Sequence, residues 1–408
     1  MTSSHSDTTS SPAIAAPFGR TATVLTLAGL LVVGQMYLVL PLLPDMARDL
    51  GIPVATATWT TTAFGLAYAG GFLVTGPLSD LYGRRRIIVV GLGVLTAATA
   101  AGALASGLPF LLACRIVQGL GAAGLSPVAL AYLGERIAPR RRSIAVTMLV
   151  TAMIAATVTG QVTGQILLPL AGWRGTFLVN AGMIAALAVA IRLVLSGGRP
   201  QGAPVGPRAF LAAAGRLLTR PLLLLIYLAA LTVLGSFVAV YTALQLLGPP
   251  QLTDAPGAML ALRASSLPVL VAVPLLAPVL NRVRPTLRAA LALVVGAAAV
   301  GVLAVQGAAA PLVTGGLMFV FVGAIGAVSP GLTEQVAALS GPARGAGVAL
   351  YTFSLITGAS LGPQLVTALA GGGLTAPLAA TGVVQLAGAG ILLLADRYRS
   401  RQEAAELG

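Results

Sequence analysis

The chain has 408 residues, of which 57% are hydrophobic and only 8% are charged, and its formal net charge is +14. Soluble domains carry about a quarter charged residues, so the composition excludes a soluble globular protein and indicates an integral membrane protein. The net charge alone would allow a nucleic-acid partner, but the positions of the arginines, described below, indicate membrane topology instead.

Apolar runs of about 20 residues, long enough to cross about 30 Å of hydrocarbon as a helix, recur twelve times. We number them as spans 1 to 12. They lie near residues 22–44, 57–79, 87–107, 110–133, 143–168, 174–195, 221–246, 258–281, 287–306, 311–333, 346–369 and 374–395. The sequence thus predicts an all-α integral membrane fold of twelve transmembrane helices.

The basic residues are all arginines, and they cluster on alternate connections between the spans. With the N-terminus placed inside, only Arg48 and Arg174 fall on the outer side, while Arg115 and Arg263 fall within spans. The remaining arginines lie on cytoplasmic segments, as the positive-inside rule requires. Both termini are therefore expected in the cytoplasm, and we expect no nucleic-acid partner.

The chain divides near its middle. We expect a disordered cytoplasmic tail over 1–20, a six-helix bundle over 21–195, a Pro- and Gly-rich cytoplasmic loop over 196–220, a second six-helix bundle over 221–395 and a cytoplasmic tail over 396–408. The only histidine, His5, lies in the first tail and Cys114 is the only cysteine. No metal site is expected within the membrane.

The two halves repeat one another. Ser329-Pro330 follows Ser126-Pro127 at an offset of 203 residues, and Pro342 follows Pro139 at the same offset. Six spans in each half make the repeat parallel, related by an axis along the membrane normal, as in two-halved transporters.

The segment from Gly76 to Arg86, GPLSDLYGRRR, joins spans 2 and 3. It resembles the loop 2–3 signature of the major facilitator superfamily. A weaker version, APVLNRVRP, covers Ala277 to Pro285, with Asn281 at the place of the acid. The resemblance implies a cytoplasmic gate, or latch, which in the family holds the halves together when the protein opens outward. We assign to it Gly76, Asp80, Gly83, Arg84 and Arg85 of this segment, together with Glu135 and Arg142, which match the family after span 4.

A second stretch, Arg115 to Gly121 on span 4, is similar to the family's R-x-x-Q-G-x-G signature. The corresponding arginine is implicated in proton transfer in related antiporters. Arg115 is expected to face a water-filled cavity, or else to extend to the outer interface. Gln35 stands where many such antiporters carry a buried acid, so Asp45 is the candidate proton carrier, the alternative being a solvated helix-end carboxylate.

Other matches cover most of the first half: Pro44 to Gly51 after span 1, Pro139 with Arg142, Trp173-Arg174 with Phe177, and the glycine pair Gly160 and Gly164 on span 5. They favour the drug or metabolite efflux branch, in a bacterial inner membrane. Span 5 has Gln165 where that branch usually continues with a proline, which is a departure from the pattern.

Polar side chains at helical spacing predict a substrate cavity between the halves. The candidates are Gln35, Gln118, Ser126, Gln161, Gln165, Tyr227, Tyr241, Gln245, Arg263 and Ser266. Ordinary packing is the alternative for each stripe. Two intramembrane arginines with no acid near mid-span favour an anionic or polar neutral substrate over an organic cation.

The sequence therefore predicts a secondary transporter, a proton-coupled exporter of a small organic molecule that works by alternating access. One alternative is uptake or facilitated diffusion of a small polar or anionic solute by the same fold. The other is a non-transporting membrane receptor or scaffold. With no lysine there is no P-loop for ATP, and neither catalytic residues nor a cofactor is expected. The expected partners are the substrate, protons and lipid, and the expected state is a monomer.

Overall fold

The computed structural model describes residues 17–197, 206–253, 255–275 and 282–407. Within these ranges the chain is helical, with turns but no strands. Nine of the described helices are long and apolar enough to cross a membrane, and one of them, with 56 residues, is long enough for two crossings.

The first half begins with span 1, Phe18–Leu38, which continues through a short turn, Leu40–Leu42, into helix Leu43–Leu50. A four-residue helix, Val54–Ala57, precedes span 2. Span 2 is Trp59–Tyr82, span 3 is Arg84–Ala103, span 4 consists of Leu108–Ala123 and Ser126–Arg136, and spans 5 and 6 form helix Pro139–Val194.

Spans 5 and 6 reverse at Gly172. Its φ of 63° and ψ of 179° interrupt the helix, and glycine adopts this positive φ without the strain that a Cβ would cause. The chain folds back here, because Gly160 packs against Gly34 of span 1 while Asn180, beyond the turn, hydrogen-bonds the neighbouring Gln35. Two spans therefore meet with no intervening loop.

The second half begins after helix Pro207–Leu218, which lies within the segment expected as the central loop. Span 7 is Pro221–Leu247, and a short helix Pro250–Thr253 follows. Span 8 is broken into Pro256–Ser265 and Leu267–Leu275. Span 9 is Pro285–Gln306 and span 10 is Pro311–Leu339, followed by the turn Gly341–Ala343. Span 11 is Arg344–Ala368, the turn Ala370–Gly372 follows, and span 12 is Thr375–Leu407.

The domain limits remain a prediction. Residues 1–16 of the expected N-terminal tail, and residues 277–281 of the weaker motif including Asn281, lie outside the described residues. Span 12 continues as helix through most of the expected C-terminal tail.

Within each half the spans pack in corresponding pairs. Span 1 lies along span 5 and span 7 lies along span 11, and in both pairs glycines allow close approach. A Cβ on Gly160 would come within 2.9 Å of the Gly34 Cα, and one on Gly235 within 3.0 Å of the Gly358 carbonyl oxygen. Small residues serve this purpose in membrane helix packing. Between the halves, span 2 packs on span 11 and span 5 packs on span 8.

The bundle has two distinguishable ends. We call one the basic end, where Arg84, Arg140, Arg220 and Arg284 mark the starts of spans 3, 5, 7 and 9. The other, which carries Gly51, Gly107 and Gly172, is called the opposite end. Every functional residue below is placed relative to these two ends.

Candidate functional site

The turn between spans 2 and 3 holds an ion-pair network. Gly83 has a φ of 92° and a ψ of 138°, so the reversal requires a glycine. Arg84 pairs with Asp80 and contacts Ser79, and its Nη2 lies 2.9 Å from Glu135 Oε1 on span 4. The expected latch residues Asp80, Arg84 and Glu135 thus meet at the basic end.

The other expected latch residues bind their own half. Arg85 Nη2 donates to the Arg192 carbonyl at 2.5 Å, and Arg142 Nη2 makes a long 3.4 Å bond to the Ile137 carbonyl. Gly76 lies inside the span 2 helix, with no atom within 4 Å of where its Cβ would be. In this conformation the contacts of Arg84, Arg85 and Arg142 lie within the first half.

Arg115 is enclosed by protein in the first half, with none of its surface exposed. Nε donates to the Thr60 carbonyl at 3.0 Å, Nη1 to Gln118 Oε1 at 2.6 Å and Nη2 to the Gln35 carbonyl at 3.3 Å. The guanidinium also lies 4.3 Å from the centre of the Phe64 ring, in cation–π geometry. Each nitrogen is satisfied by a neutral acceptor, so in this conformation Arg115 does not face the water-filled cavity that we expected.

Gln35, Gln118 and Ser126 are likewise held inside the first half. Gln35 Nε2 donates to Asn180 Oδ1 at 3.0 Å, and Gln118 Nε2 donates to the Ala98 carbonyl at 3.1 Å. Ser126 hydrogen-bonds the Tyr68 hydroxyl at 2.7 Å. These side chains share a core with Arg115 and are separate from the remaining cavity candidates.

Asp45 lies at the opposite end, on the short helix that follows span 1. Its carboxylate pairs with Arg48 at 2.7 Å, and 35% of its side chain is exposed. Arg115 donates its hydrogen bonds to other groups. The two expected coupling residues, Asp45 and Arg115, therefore do not contact each other in this conformation. Asp49 on the same helix accepts from Trp173 Nε1 at 3.1 Å and pairs with Arg174.

Arg263 joins the halves near the opposite end. Its Nε donates to Gln161 Oε1 of span 5 at 3.2 Å, and its Nη2 donates to Gln245 Oε1 of span 7 at 2.5 Å. Tyr241 donates to Ser266 Oγ beside it at 3.3 Å. Five of the expected cavity residues, drawn from spans 5, 7 and 8, therefore form one cluster, which we call the arginine contact.

One hydrogen-bond donor of the arginine contact is unpaired in the described part of the chain. Arg263 is fully buried, and its Nη1 has no hydrogen-bond partner among the described residues. Gln165 lies one turn beyond Gln161 on span 5, whereas Tyr227 lies near the basic end of span 7, 14 residues from Tyr241 and so about 21 Å away along the helix. Tyr227 is thus distant from the arginine contact.

A second contact joins spans 2 and 11. Gln364 Nε2 donates to Thr62 Oγ1 at 3.0 Å and to Thr58 Oγ1 at 3.2 Å, and Thr62 donates to the Ser360 carbonyl at 2.6 Å. Gly65 packs directly against Ser360, leaving no room for a Cβ. We call this group the threonine contact.

The two contacts occupy equivalent places in the repeat. Gln364 stands 203 residues after Gln161, the offset already found for the Ser-Pro and Pro matches, and Arg263 stands 203 residues after Thr60, between the two threonines that bind Gln364. Each glutamine reaches across to the other half. The partner is an arginine in one case and a pair of hydroxyl groups in the other.

The halves are thus joined near the opposite end. A groove of about 530 Å³ lies toward the basic end of the first half and is lined by residues of spans 1 and 5, among them Thr26, Ser143, Thr147 and Thr151.

Sequence reasoning missed Thr58, Thr62, Ser360 and Gln364. A signal was present, because Thr58 and Thr62 are four residues apart, and so are Ser360 and Gln364, which puts each pair on one helix face. Asn180, which binds Gln35, carried no comparable pattern.

Comparison with known proteins gives one family. The family model described as Major Facilitator Superfamily matches residues 25–363. Among curated relatives, the cephamycin export protein CmcT of Amycolatopsis lactamdurans is 34% identical over 46% of this chain and 40% of its own length. The chloramphenicol resistance protein of Streptomyces lividans is 30% identical over 53% of this chain and 54% of its own.

A third relative, the methylenomycin A resistance protein of Bacillus subtilis, is 30% identical over 42% of this chain and 37% of its own length. The chain therefore matches only about 40% to about half of the length of these three relatives. Their names describe those proteins, and what they suggest for this chain is taken up next.

Proposed function

Since the chain belongs to the Major Facilitator Superfamily, it is a multi-pass membrane transporter of the twelve-helix, two-bundle fold, and we propose that it exports a small organic molecule. The resemblance seen in the sequence is thereby confirmed at the level of the family. The direction of transport, the substrate and the coupling ion belong to the proposal.

The observation that carries the mechanism is the pair of contacts between the halves near the opposite end. Gln161 with Arg263 and Gln364 with Thr62 join the halves near that end, and the groove on spans 1 and 5 lies toward the basic end. Breaking both contacts and closing the basic end would expose a central site to the other side. The units that move would be the bundles 21–195 and 221–395, linked by segment 196–220.

Two further points support export. The arginine-rich end faces the cytoplasm if the positive-inside rule holds, which places both termini inside and opens the groove to cytoplasmic substrate. The three relatives named above are export or resistance proteins. We therefore propose a bacterial inner membrane location and loading from the cytoplasm.

The proton-coupled form of this proposal assigns the proton to Asp45. The other acidic side chains of the described spans also lie near span ends, and Asp45 lies at the opposite end, where protons would enter during export. A glutamine at position 35 cannot titrate. Asp45 is therefore the candidate proton carrier, while Asp49 on the same helix pairs with Arg174 and accepts from Trp173.

The test is transport in proteoliposomes with an imposed pH gradient, using radiolabelled chloramphenicol, to which one relative confers resistance by name. If the protein exports chloramphenicol in exchange for protons, chloramphenicol should accumulate against its own gradient only when protons flow down theirs in the opposite direction. Equilibration without accumulation would favour facilitated diffusion. If folded protein moved neither chloramphenicol nor any carboxylate that binds it above the level of empty liposomes, a receptor or scaffold would be favoured.

The coupling residue is tested in the same vesicles. Asp45→Asn should abolish accumulation driven by the pH gradient. Exchange of chloramphenicol between the two sides at equal pH should persist, because only the proton step is lost. Asp49→Asn, which removes the neighbouring carboxylate from Trp173 and Arg174, is the matched control. Full pH-driven accumulation by Asp45→Asn would refute the assignment.

A further inference from the structure

Arg263 carries a buried positive charge with an unused donor. The side chain is fully enclosed, its described partners Gln161 and Gln245 are neutral amides, and Nη1 donates to no described group. A buried donor without an acceptor destabilises a protein, and a charged donor does so more strongly. An arrangement retained at that cost points to a ligand that supplies the missing acceptor in another step of the cycle.

The other buried arginine shows that this cost is avoidable in the same protein. Arg115 is equally enclosed, but each of its nitrogens reaches an acceptor, and Phe64 covers its face. Arg115 binds within one half only. Arg263, by contrast, lies on the surface where the two halves meet, which is where a superfamily transporter holds its substrate.

The groove and the arginine contact share one face of span 5. Ser143 lines the groove and lies 18 residues, or five complete turns, before Gln161, so both side chains project in the same direction. Thr147 and Thr151 lie within 80° of that direction at 100° per residue. Gln161 therefore lies on the same side of span 5 as the groove, beyond Ala155, the groove's last lining residue.

We propose that Arg263 binds the carboxylate group of an organic anion, making this chemical class the transported substrate. The carboxylate is held between Nη1 and Nη2, and Nη2 becomes available when Gln245 turns away from it. This geometry is the two-point pairing that a guanidinium makes best with a planar carboxylate. The proposal rests on the export function proposed above and names its substrate class.

The same binding event explains how substrate would open the far end. While Gln161 occupies Nε, spans 5 and 8 are joined. A carboxylate at Nη1 and Nη2 compensates the charge of the guanidinium, so Gln161 can leave Nε without exposing an unpaired buried charge. A cationic or neutral substrate would instead have to leave the arginine charge without a partner, which is costly in a low-dielectric interior.

The test measures binding independently of transport. Wild-type protein in lipid nanodiscs is titrated with benzoate, salicylate and phenylacetate, and with the matched neutral amides benzamide, salicylamide and phenylacetamide, at constant ionic strength set with sodium chloride. Thermal unfolding at each concentration gives an apparent dissociation constant. At least one carboxylate is expected to bind ten-fold or more tightly than its own amide.

Three variants separate ligand binding from closure of the far end. Arg263→Gln should lose the preference for the carboxylate over the amide, and Arg263→Lys should retain part of it because the charge remains. Gln161→Leu removes the bond between the halves but keeps the guanidinium, so it should retain or strengthen the preference. Gln364→Leu, which breaks the equivalent threonine contact, is the matched control and should leave the ratio unchanged.

Two results would overturn the proposal. One is a wild-type protein that binds no carboxylate more tightly than its amide. The other is an equal loss of preference in Arg263→Gln and Gln161→Leu, which would make Arg263 a closing residue alone. Failure of export would show differently, because nanodisc binding would persist while proteoliposomes failed to move the bound carboxylate outward.

Discussion

The arginine contact and the threonine contact answer the same structural demand with different chemistry. Both use a glutamine at equivalent repeat positions, Gln161 and Gln364, and both join the halves near the opposite end. The threonine contact is neutral, and its named donors find acceptors. The arginine contact is charged and leaves one nitrogen of Arg263 unused. The neutral threonine contact shows that the halves can be joined without a charged side chain. Closure alone therefore does not explain the positive charge of Arg263.

A substitution that forces spans 2 and 11 apart at the threonine contact should have the largest effect on the balance between the two conformations. A Cβ at Gly65 would lie 2.9 Å from Met36 Cε and would collide with Ser360. Gly65→Val should therefore disfavour closure of the opposite end by about 3 kcal/mol or more, the upper end of the usual cost of overpacking, which is roughly a 150-fold change in the ratio of the two conformations. Spin labels at positions 81 and 283, in a Cys114→Ala background, should report a larger fraction of short distances across the basic end.

Gly70→Val is the control for that substitution. Gly70 lies on the same span with no atom within 4 Å of its Cβ position, so the change in helix propensity is matched without the collision. An equal shift in both variants would show that loss of the glycine, and not the packing of spans 2 and 11, causes the effect.

Breaking the arginine contact should rank second. Gln161→Leu removes a hydrogen bond to a charged group, a contribution of about 1.5–3 kcal/mol, and the same pair of spin labels should show the shift. Thr163→Val is the matched control on span 5, because Thr163 bonds only its own helix at the Thr159 carbonyl. Distance distributions identical to wild type would contradict a closing role for Gln161.

Removing only the hydrogen bonds of the threonine contact, without a steric clash, should have the third-largest effect. Gln364→Leu removes neutral bonds to Thr58 and Thr62, each contributing about 0.5–1.5 kcal/mol net. Its side chain is only partly buried, so water compensates for some of the loss. If this variant shifted the spin-label distances further than Gln161→Leu, the charged contact would not be the stronger of the two.

The smallest effect is expected from the latch. Asp80→Asn weakens a pair with Arg84 whose side chains are 24% and 14% exposed, and which lies within the first half. We expect a loss of less than about 1 kcal/mol in this conformation, seen as a small change in thermal unfolding with no change in spin-label distances. A marked shift of those distances would show that the latch already joins the halves when the basic end is open.

The sequence predicted much of the fold because hydrophobic length and arginine position are local signals. The twelve spans and the two-bundle fold are confirmed, and the turn at Gly83 has the backbone conformation that its glycine predicted. Tyr241, Gln245, Arg263 and Ser266 also come together, since helical spacing places them on common faces.

Partners across the molecule could not be predicted in the same way. Helical periodicity gives the direction of Arg115 on its own span, but it does not show that Thr60, Gln35 and Phe64 from two other spans surround it. The cavity candidates therefore divide into an internal group and an interface group. Only the packing of one helix on another separates these groups.

The reversal at Gly172 has a mechanical consequence. The chain reverses between spans 5 and 6 at one residue, and Asn180 just beyond it is hydrogen-bonded to Gln35. No loop is therefore present between the two spans to absorb a relative movement. A tilt of span 5 that starts where it meets span 8 is transmitted to span 6, and through span 6 to span 3. The first bundle would swing as a rigid lever, and a small displacement at Gln161 would become a larger one at the basic end.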